Sequence, residues 1–172
     1  MDGSIQVYYG NGRGKTTAAL GLGIRAAGVG KQVIMVQFLK KKHSDTLDFL
    51  KKLEPELQIF RFEKAACGYS DLSPKEKQEQ MLNIKNALGY SRKVLDTGQC
   101  DLLILDEIFG LVDYNIITIE ELMDLIAVKK DSMDLILTGR KRPDEVREIA
   151  DCVYSIQREK EKTPEILAQG NF

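Results

Sequence analysis

Eight consecutive residues, Gly10-Asn11-Gly12-Arg13-Gly14-Lys15-Thr16-Thr17, are of the types that hold a polyphosphate. Glycines let a turn aim its backbone N–H groups inward, and the first turn of a following helix adds unpaired donors at its positive end. Lys15 is placed to set a point charge on the phosphates, and the Thr16 hydroxyl to ligate Mg²⁺. The usual form of this loop has four residues between its first glycine and the Gly-Lys pair. Gly10 and Gly14 leave only three, and Tyr9 stands where the first glycine is expected. The context still argues for a nucleotide-phosphate site, since an apolar run from Ile5 to Tyr9 precedes the loop and a helical pattern follows it.

A second chemical stretch is Leu102-Leu103-Ile104-Leu105-Asp106-Glu107. Four apolar residues ending in carboxylates describe a buried strand whose C-terminal edge holds Mg²⁺. Thr138-Gly139-Arg140 closes another apolar run, Leu135 to Leu137. Arg140 there either turns the chain and pairs with a nearby acid or contacts phosphate. Lys40-Lys41-Lys42-His43 follows a third apolar run and reads as a solvated turn or as a basic rim for an anion.

These stretches need a frame. Ile5–Tyr9, Val33–Val36, Leu57–Phe62, Leu102–Asp106, Leu135–Leu137 and Val153–Ile156 read as strands. Lys15–Val29, Ser44–Leu53, a segment from Ser73 to Gly98, one opened by Thr118 and one opened by Pro143 read as helices, the third and fourth with capping boxes. Gly21 and Gly23 in the first helix point to close helix–sheet packing. Met81, Ile84, Leu88 and Leu95 form the apolar stripe of the long helix, and Cys67 to Asp71 reads as a loop. Alternation of strand and helix gives the fold class: α/β, a doubly wound, mostly parallel sheet of five to six strands in three layers, P-loop NTPase-like. Ligands then lie beyond the carboxyl ends of the strands, where the Gly10 loop, Glu107 and Thr138-Gly139-Arg140 converge.

At 172 residues, residues 1–172 are expected to form a single nucleotide-binding domain. A net charge of −1 with 30% charged residues gives no nucleic-acid signal. Three cysteines without a CxxC pair fit a reduced, cytoplasmic setting, and every apolar run is too short to span a membrane.

Tyr8 to Ala19 resembles the phosphate loop of the ATP:corrinoid adenosyltransferases, which share the shortened spacing. The likeness continues at Arg25-Ala26-Ala27-Gly28, Lys31, Val36-Gln37-Phe38-Leu39-Lys40, Leu105-Asp106-Glu107, Leu137-Thr138-Gly139-Arg140 and Ala150-Asp151. The resemblance implies transfer of the 5′-deoxyadenosyl group of ATP to the cobalt of a reduced cobalamin or a precursor, with release of triphosphate. It implies phosphate binding by Gly10, Asn11, Gly12, Arg13, Gly14, Lys15 and Thr17, Mg²⁺ at Thr16 and Glu107, and nucleotide contact by Arg25. It further implies a homodimer served by an electron donor such as a flavoprotein. Gly68-Tyr69-Ser70-Asp71 stands where the family carries a Gly-Phe-Thr-Trp-like segment whose aromatics displace the lower ligand of cobalt. Tyr69 is its surviving ring, and Lys15, Glu107 and Tyr69 form the expected catalytic set. The closing Ala168-Gln169-Gly170-Asn171-Phe172 also departs from the family's ending. An ATP hydrolase with Glu107 as base, and a nucleotide-dependent corrinoid-binding regulator, are the competing functions.

Overall fold

The computed structural model describes residues 2–40, 50–62 and 69–160. Lys41-Lys42-His43, most of the expected Ser44–Leu53 helix, Cys67-Gly68 and the closing residues lie outside the described residues.

Two strands are buried along their whole length. Val33–Gln37 (β2) and Leu102–Asp106 (β4) are buried at every position, as parallel strands covered on both faces are. With Ile5–Tyr9 (β1), Leu57–Phe60 (β3), Asp134–Gly139 (β5) and Cys152–Ser155 (β6) they form a six-stranded sheet in the order β3-β2-β4-β5-β1-β6. Every pairing is parallel. The expected five to six mostly parallel strands are therefore six wholly parallel ones. β5 stands between the strand that carries the glycine loop and the strand that ends in Asp106.

Helix Lys15–Ala27 (α1) covers one face of the sheet, over Val33, Met35, Leu57, Leu102, Ile104 and Ile136. The larger core lies on the other face, under Pro74–Thr97 (α2), Ile108–Asp113 (α3), Ile119–Ala127 (α4) and Asp144–Ile149 (α5). Local chemistry sets the helix ends. Ser73 Oγ accepts from the Glu76 N–H, and the Glu76 carboxylate accepts the Ser73 N–H at 2.9 Å. Thr118 and Glu121 repeat this at the start of α4. Gly98 ends α2 at φ 68, its N–H donating to the Val94 carbonyl at 3.0 Å.

The packing corrects several sequence expectations. Gly23 is a close-contact glycine: a Cβ there would stand 3.1 Å from Ile104 Cδ1. Gly21 is not, since nothing lies within 4 Å of a Cβ at that position. The buried stripe of α2 runs Gln80, Ile84, Ala87, Ser91, Val94 and Leu95, with Met81 and Leu88 only at its margins. Tyr69–Asp71 forms a short 3₁₀ turn, and α3 is a helix that periodicity did not disclose.

Candidate nucleotide-binding site

The glycine loop leaves β1 at Gly10, whose φ of 124 only glycine adopts without strain. A Cβ at Gly10 would stand 2.2 Å from the Ile156 carbonyl oxygen, so the residue type is fixed by space as well. The Gly10 N–H donates to the Arg140 carbonyl at 3.0 Å, and the Gly12 N–H to the Ile156 carbonyl at 3.0 Å. The Arg158 N–H reaches Asn11 Oδ1 at 3.4 Å. The cradle is thus clamped from two sides, by the end of β5 and by the segment after β6.

Lys15 and Thr16 occupy the first turn of α1, whose N-cap is Gly14 at φ 115. Lys15 Nζ donates to the carbonyls of Gly10, at 2.7 Å, and Gly12, at 2.9 Å. The ammonium therefore already lies across the loop. Its pKa is lowered from the ordinary lysine value, chiefly because burial disfavours its charge, with Arg140 and Lys40 adding repulsion. Glu107 and Asp106 act the other way. Arg140 belongs to this edge, where its carbonyl accepts the Gly10 N–H.

The centre of the site is Asp106, fully buried. Its Oδ1 accepts from the Thr16 hydroxyl at 2.9 Å and from the Thr138 hydroxyl at 2.7 Å. Its Oδ2 accepts from Gln37 Nε2 at 3.0 Å, and Lys40 Nζ stands 3.4 Å away. Thr138 lies on β5, the intervening strand, and its Oγ1 also accepts the Glu107 N–H at 2.8 Å. One hydroxyl thereby joins the carboxylate to the turn that follows it. Glu107 takes φ 62, a left-handed backbone uncommon for a non-glycine residue, and begins α3.

Sequence reasoning placed the metal contact on Glu107; the structure puts the Asp106 carboxylate directly on the Thr16 hydroxyl, and Glu107 beside it. Gln37, Thr138 and Lys40 complete a cluster to which no individual role had been given. Gln37 carried a signal, because it is a polar residue ending an otherwise apolar buried strand, in register with Asp106. Its own Oε1 accepts from Arg61 Nε at 2.7 Å, which fixes the amide with its nitrogen toward Asp106. Asn11, Arg13 and Thr17 are exposed on the loop and the first helical turn, open to a ligand. Arg25 is not brought to this group. It lies ten residues along α1 from Lys15, about 15 Å at the helical rise, where it lines a cavity of about 300 Å³ at the opposite edge of the sheet with Lys31 and Asp134. Tyr69 packs against Tyr114, ring centroids 5.2 Å apart, with Lys77 over its face.

The depressed pKa of Lys15 has a measurable consequence. Anionic phosphates favour the protonated form, so ATP binding raises the pKa that the free protein lowers. Between the lowered value and the ordinary 10.5, the free protein has lost the proton that the complex keeps. In that alkaline window ATP binding takes up a proton, and affinity falls as pH rises, by at most about tenfold per pH unit. Calorimetry in buffers of different ionisation heat should register the uptake in wild type and not in Lys15→Met.

Thr16, Asp106 and Glu107 offer hard oxygen ligands of the kind Mg²⁺ takes. Among the described residues no three His, Cys, Asp or Glu side chains gather to hold a metal by themselves. That donor set fits an ion that arrives with phosphate oxygens completing its shell.

The family model of the ATP:corrinoid adenosyltransferases BtuR/CobO/CobP matches residues 1–169. The corrinoid adenosyltransferase of Escherichia coli strain K12 is 30% identical over 155 residues, covering 90% of this chain and 76% of that protein. Corrinoid adenosyltransferase CobA of Salmonella typhimurium strain LT2 matches with the same identity and the same coverage. Among solved structures, the KaiC-like protein PH0186 of Pyrococcus horikoshii OT3 superposes with a TM-score of 0.60 at 20% identity, over 94% of this chain and 75% of that one. The last likeness concerns the three-layer P-loop fold alone.

Proposed function

The chain belongs to the ATP:corrinoid adenosyltransferase family and so serves the ATP-dependent adenosylation of a corrinoid, and we propose that the Gly10–Thr17 cradle and the Asp106–Glu107 edge carry that reaction. The observation that carries this reading is the family match along residues 1–169 together with a formed phosphate cradle at its expected place.

In the reaction the electron pair of Co(I) forms a bond to C5′ of ATP while the C5′–O5′ bond breaks, and its electrons leave on triphosphate. Cobalt is the nucleophile, so the protein need supply none. Its residues hold the two reactants in line and stabilise the charge that develops on the leaving oxygen. The N–H groups of Asn11, Arg13 and Gly14 and the ammonium of Lys15 face the triphosphate, with the Arg13 side chain, Thr17 and Arg140 at its rim, while the Gly12 N–H stays on the Ile156 carbonyl. Thr16, Asp106 and Glu107 would hold Mg²⁺, which would neutralise phosphate charge when bound. The family resemblance supports a cytoplasmic homodimer supplied with electrons by a flavoprotein or a similar donor. Among the described residues no helix is long and apolar enough to cross a membrane.

The test is incubation with ATP, Mg²⁺ and chemically reduced cobalamin, followed by the spectrum of the cobalt–carbon bond and by phosphate analysis. Adenosylated corrinoid and triphosphate are expected in equal amounts. Rapid release of ADP and phosphate without corrinoid, lost in Glu107→Gln, would instead make the protein a hydrolase.

Tyr69 gives this reading a finer test. Displacing the lower cobalt ligand requires apolar surface against the corrin, and the ring of Tyr69, half-buried on Tyr114, is of that kind. Asp71 is exposed. Tyr69→Ala is expected to slow transfer starting from Co(II) about tenfold, or about 1.4 kcal/mol, and to spare transfer from preformed Co(I). Equal losses on both routes would reduce Tyr69 to packing.

A further inference from the structure

Lys40 is the residue of this edge for which the reaction described above has no use. It follows β2 after Phe38, which is fully buried, and Leu39, whose φ is 56. A left-handed backbone at a residue with a branched side chain is strained and persists only where surrounding contacts impose it. Leu39 is held by packing: its Cδ1 lies so close to Gly110 of α3 that a Cβ there would approach it to 2.6 Å. The Phe38 N–H donates to the Asp106 carbonyl at 2.9 Å, which ties the segment to β4. The strained residue stands immediately before Lys40.

The Lys40 ammonium lies 3.2 Å from Thr16 Oγ1 and 3.4 Å from Asp106 Oδ2. These are the hydroxyl and the carboxylate that the proposed metal site uses. Thr16 Oγ1 donates its proton to Asp106 and accepts from Lys40, so hydroxyl, carboxylate and ammonium form one closed set. The Lys40 side chain keeps 29% of its accessibility, whereas that of Asp106 has none. Asp106 is therefore fixed, and the ammonium is the member with room to leave.

We propose that Lys40 is the resident cation of the site, occupying the metal's place between Thr16 and Asp106, and that metal–nucleotide binding exchanges one cation for the other. A buried carboxylate without a countercharge is costly, so a tethered ammonium beside Asp106 offsets its charge and holds Thr16 oriented before substrate arrives. Metal then enters against competition from a charge that is always present at the site. The inference rests on the Mg²⁺ reading of Thr16 and Asp106 given above.

The experiment measures ATP affinity by calorimetry with Mn²⁺ and with EDTA, in wild type and in Lys40→Met, and takes the ratio of the two affinities in each protein. Methionine keeps the length and apolar stem without the charge. Wild type retains part of its metal-free binding, because Lys40 serves as the cation. Lys40→Met should lose most of that binding while keeping affinity with Mn²⁺, so its metal-promoted ratio rises at least about tenfold, or about 1.4 kcal/mol. If both affinities fall together and the ratio is unchanged, Lys40 is a phosphate contact and the exchange is wrong. If neither affinity changes, the ammonium has no part in loading and the exchange is equally wrong. A wild type indifferent to Mn²⁺ and Mg²⁺ would remove the metal reading itself, a different failure from the other two. Should Lys40→Met fail to give a folded protein by circular dichroism, Lys40→Gln carries the same comparison.

Discussion

Lys15→Ala is expected to lower ATP affinity at least about a hundredfold, or about 2.7 kcal/mol, in a protein that still folds. The ammonium now bridges the Gly10 and Gly12 carbonyls across the loop, at 2.7 and 2.9 Å. Bound phosphate offers the same ammonium full negative charge in place of two carbonyl dipoles, and charge-assisted bonds of that kind are roughly twice as strong as neutral ones. The loop should keep its shape without the side chain. Its backbone is anchored independently, by the Gly10 N–H on the Arg140 carbonyl and the Gly12 N–H on the Ile156 carbonyl. The two carbonyls freed by the substitution face the ligand side and can take water. Lys15→Arg is the informative companion: charge is retained, but a planar fork replaces a compact point charge in a space built for the latter. Intermediate affinity is expected for it. Calorimetry with ATP and a circular-dichroism melt check both variants, and undiminished affinity in folded Lys15→Ala would remove the phosphate-site assignment.

The glycine loop and its strand–helix setting were legible because each property is local. The turn needs glycine at Gly10, the helix begins at Lys15, and the apolar run before them is continuous. Capping boxes at Ser73 and Thr118 were legible for the same reason. What escaped is non-local. Whether Asp106 or Glu107 meets Thr16 depends on β5 lying between β1 and β4 and on Thr138 reaching both neighbours. No spacing along the chain encodes that. Gly21 and Gly23 look alike in sequence, yet only Gly23 faces the sheet closely, because the rotation of α1 about its axis is set by tertiary packing. The short helix α3 begins at a left-handed glutamate and holds a glycine, so propensity argues against it; Ile108, Phe109 and Leu111 are nonetheless fully buried there. Arg25 matched the family's order of residues, but ten residues of straight helix separate it from the loop on its own chain.

Asp106→Ala is expected to cost the fold about 2–4 kcal/mol, an estimate from the loss of two buried hydrogen-bond donors' partners. The Thr138 hydroxyl is fully buried and Gln37 nearly so, at 5% exposure, and both donate to this carboxylate. Water cannot easily serve either once the carboxylate is gone. Gln37 cannot simply turn its amide, because its oxygen is held by Arg61. Thr16 and Lys40 are less enclosed and recover solvent, so their share of the loss is small. Asp106→Asn should not rescue the fold fully. Both carboxylate oxygens accept hydrogen bonds, and whichever side receives the amide NH₂ faces a donor: the two threonines on one, Gln37 and Lys40 on the other. Glu107→Gln is the control. It changes the neighbouring carboxylate while keeping the backbone N–H by which Glu107 joins this network, donated to Thr138 Oγ1. Its unfolding free energy should stay within about 0.5 kcal/mol of wild type, while the Mg²⁺ needed for transfer rises. Urea unfolding resolves the three variants: a lowered midpoint at unchanged slope is expected for Asp106→Ala and Asp106→Asn, and wild-type behaviour for Glu107→Gln. An Asp106→Ala protein as stable as wild type would mean that the buried donors find other partners, and that Asp106 is a ligand-facing carboxylate rather than the point on which the edge is assembled.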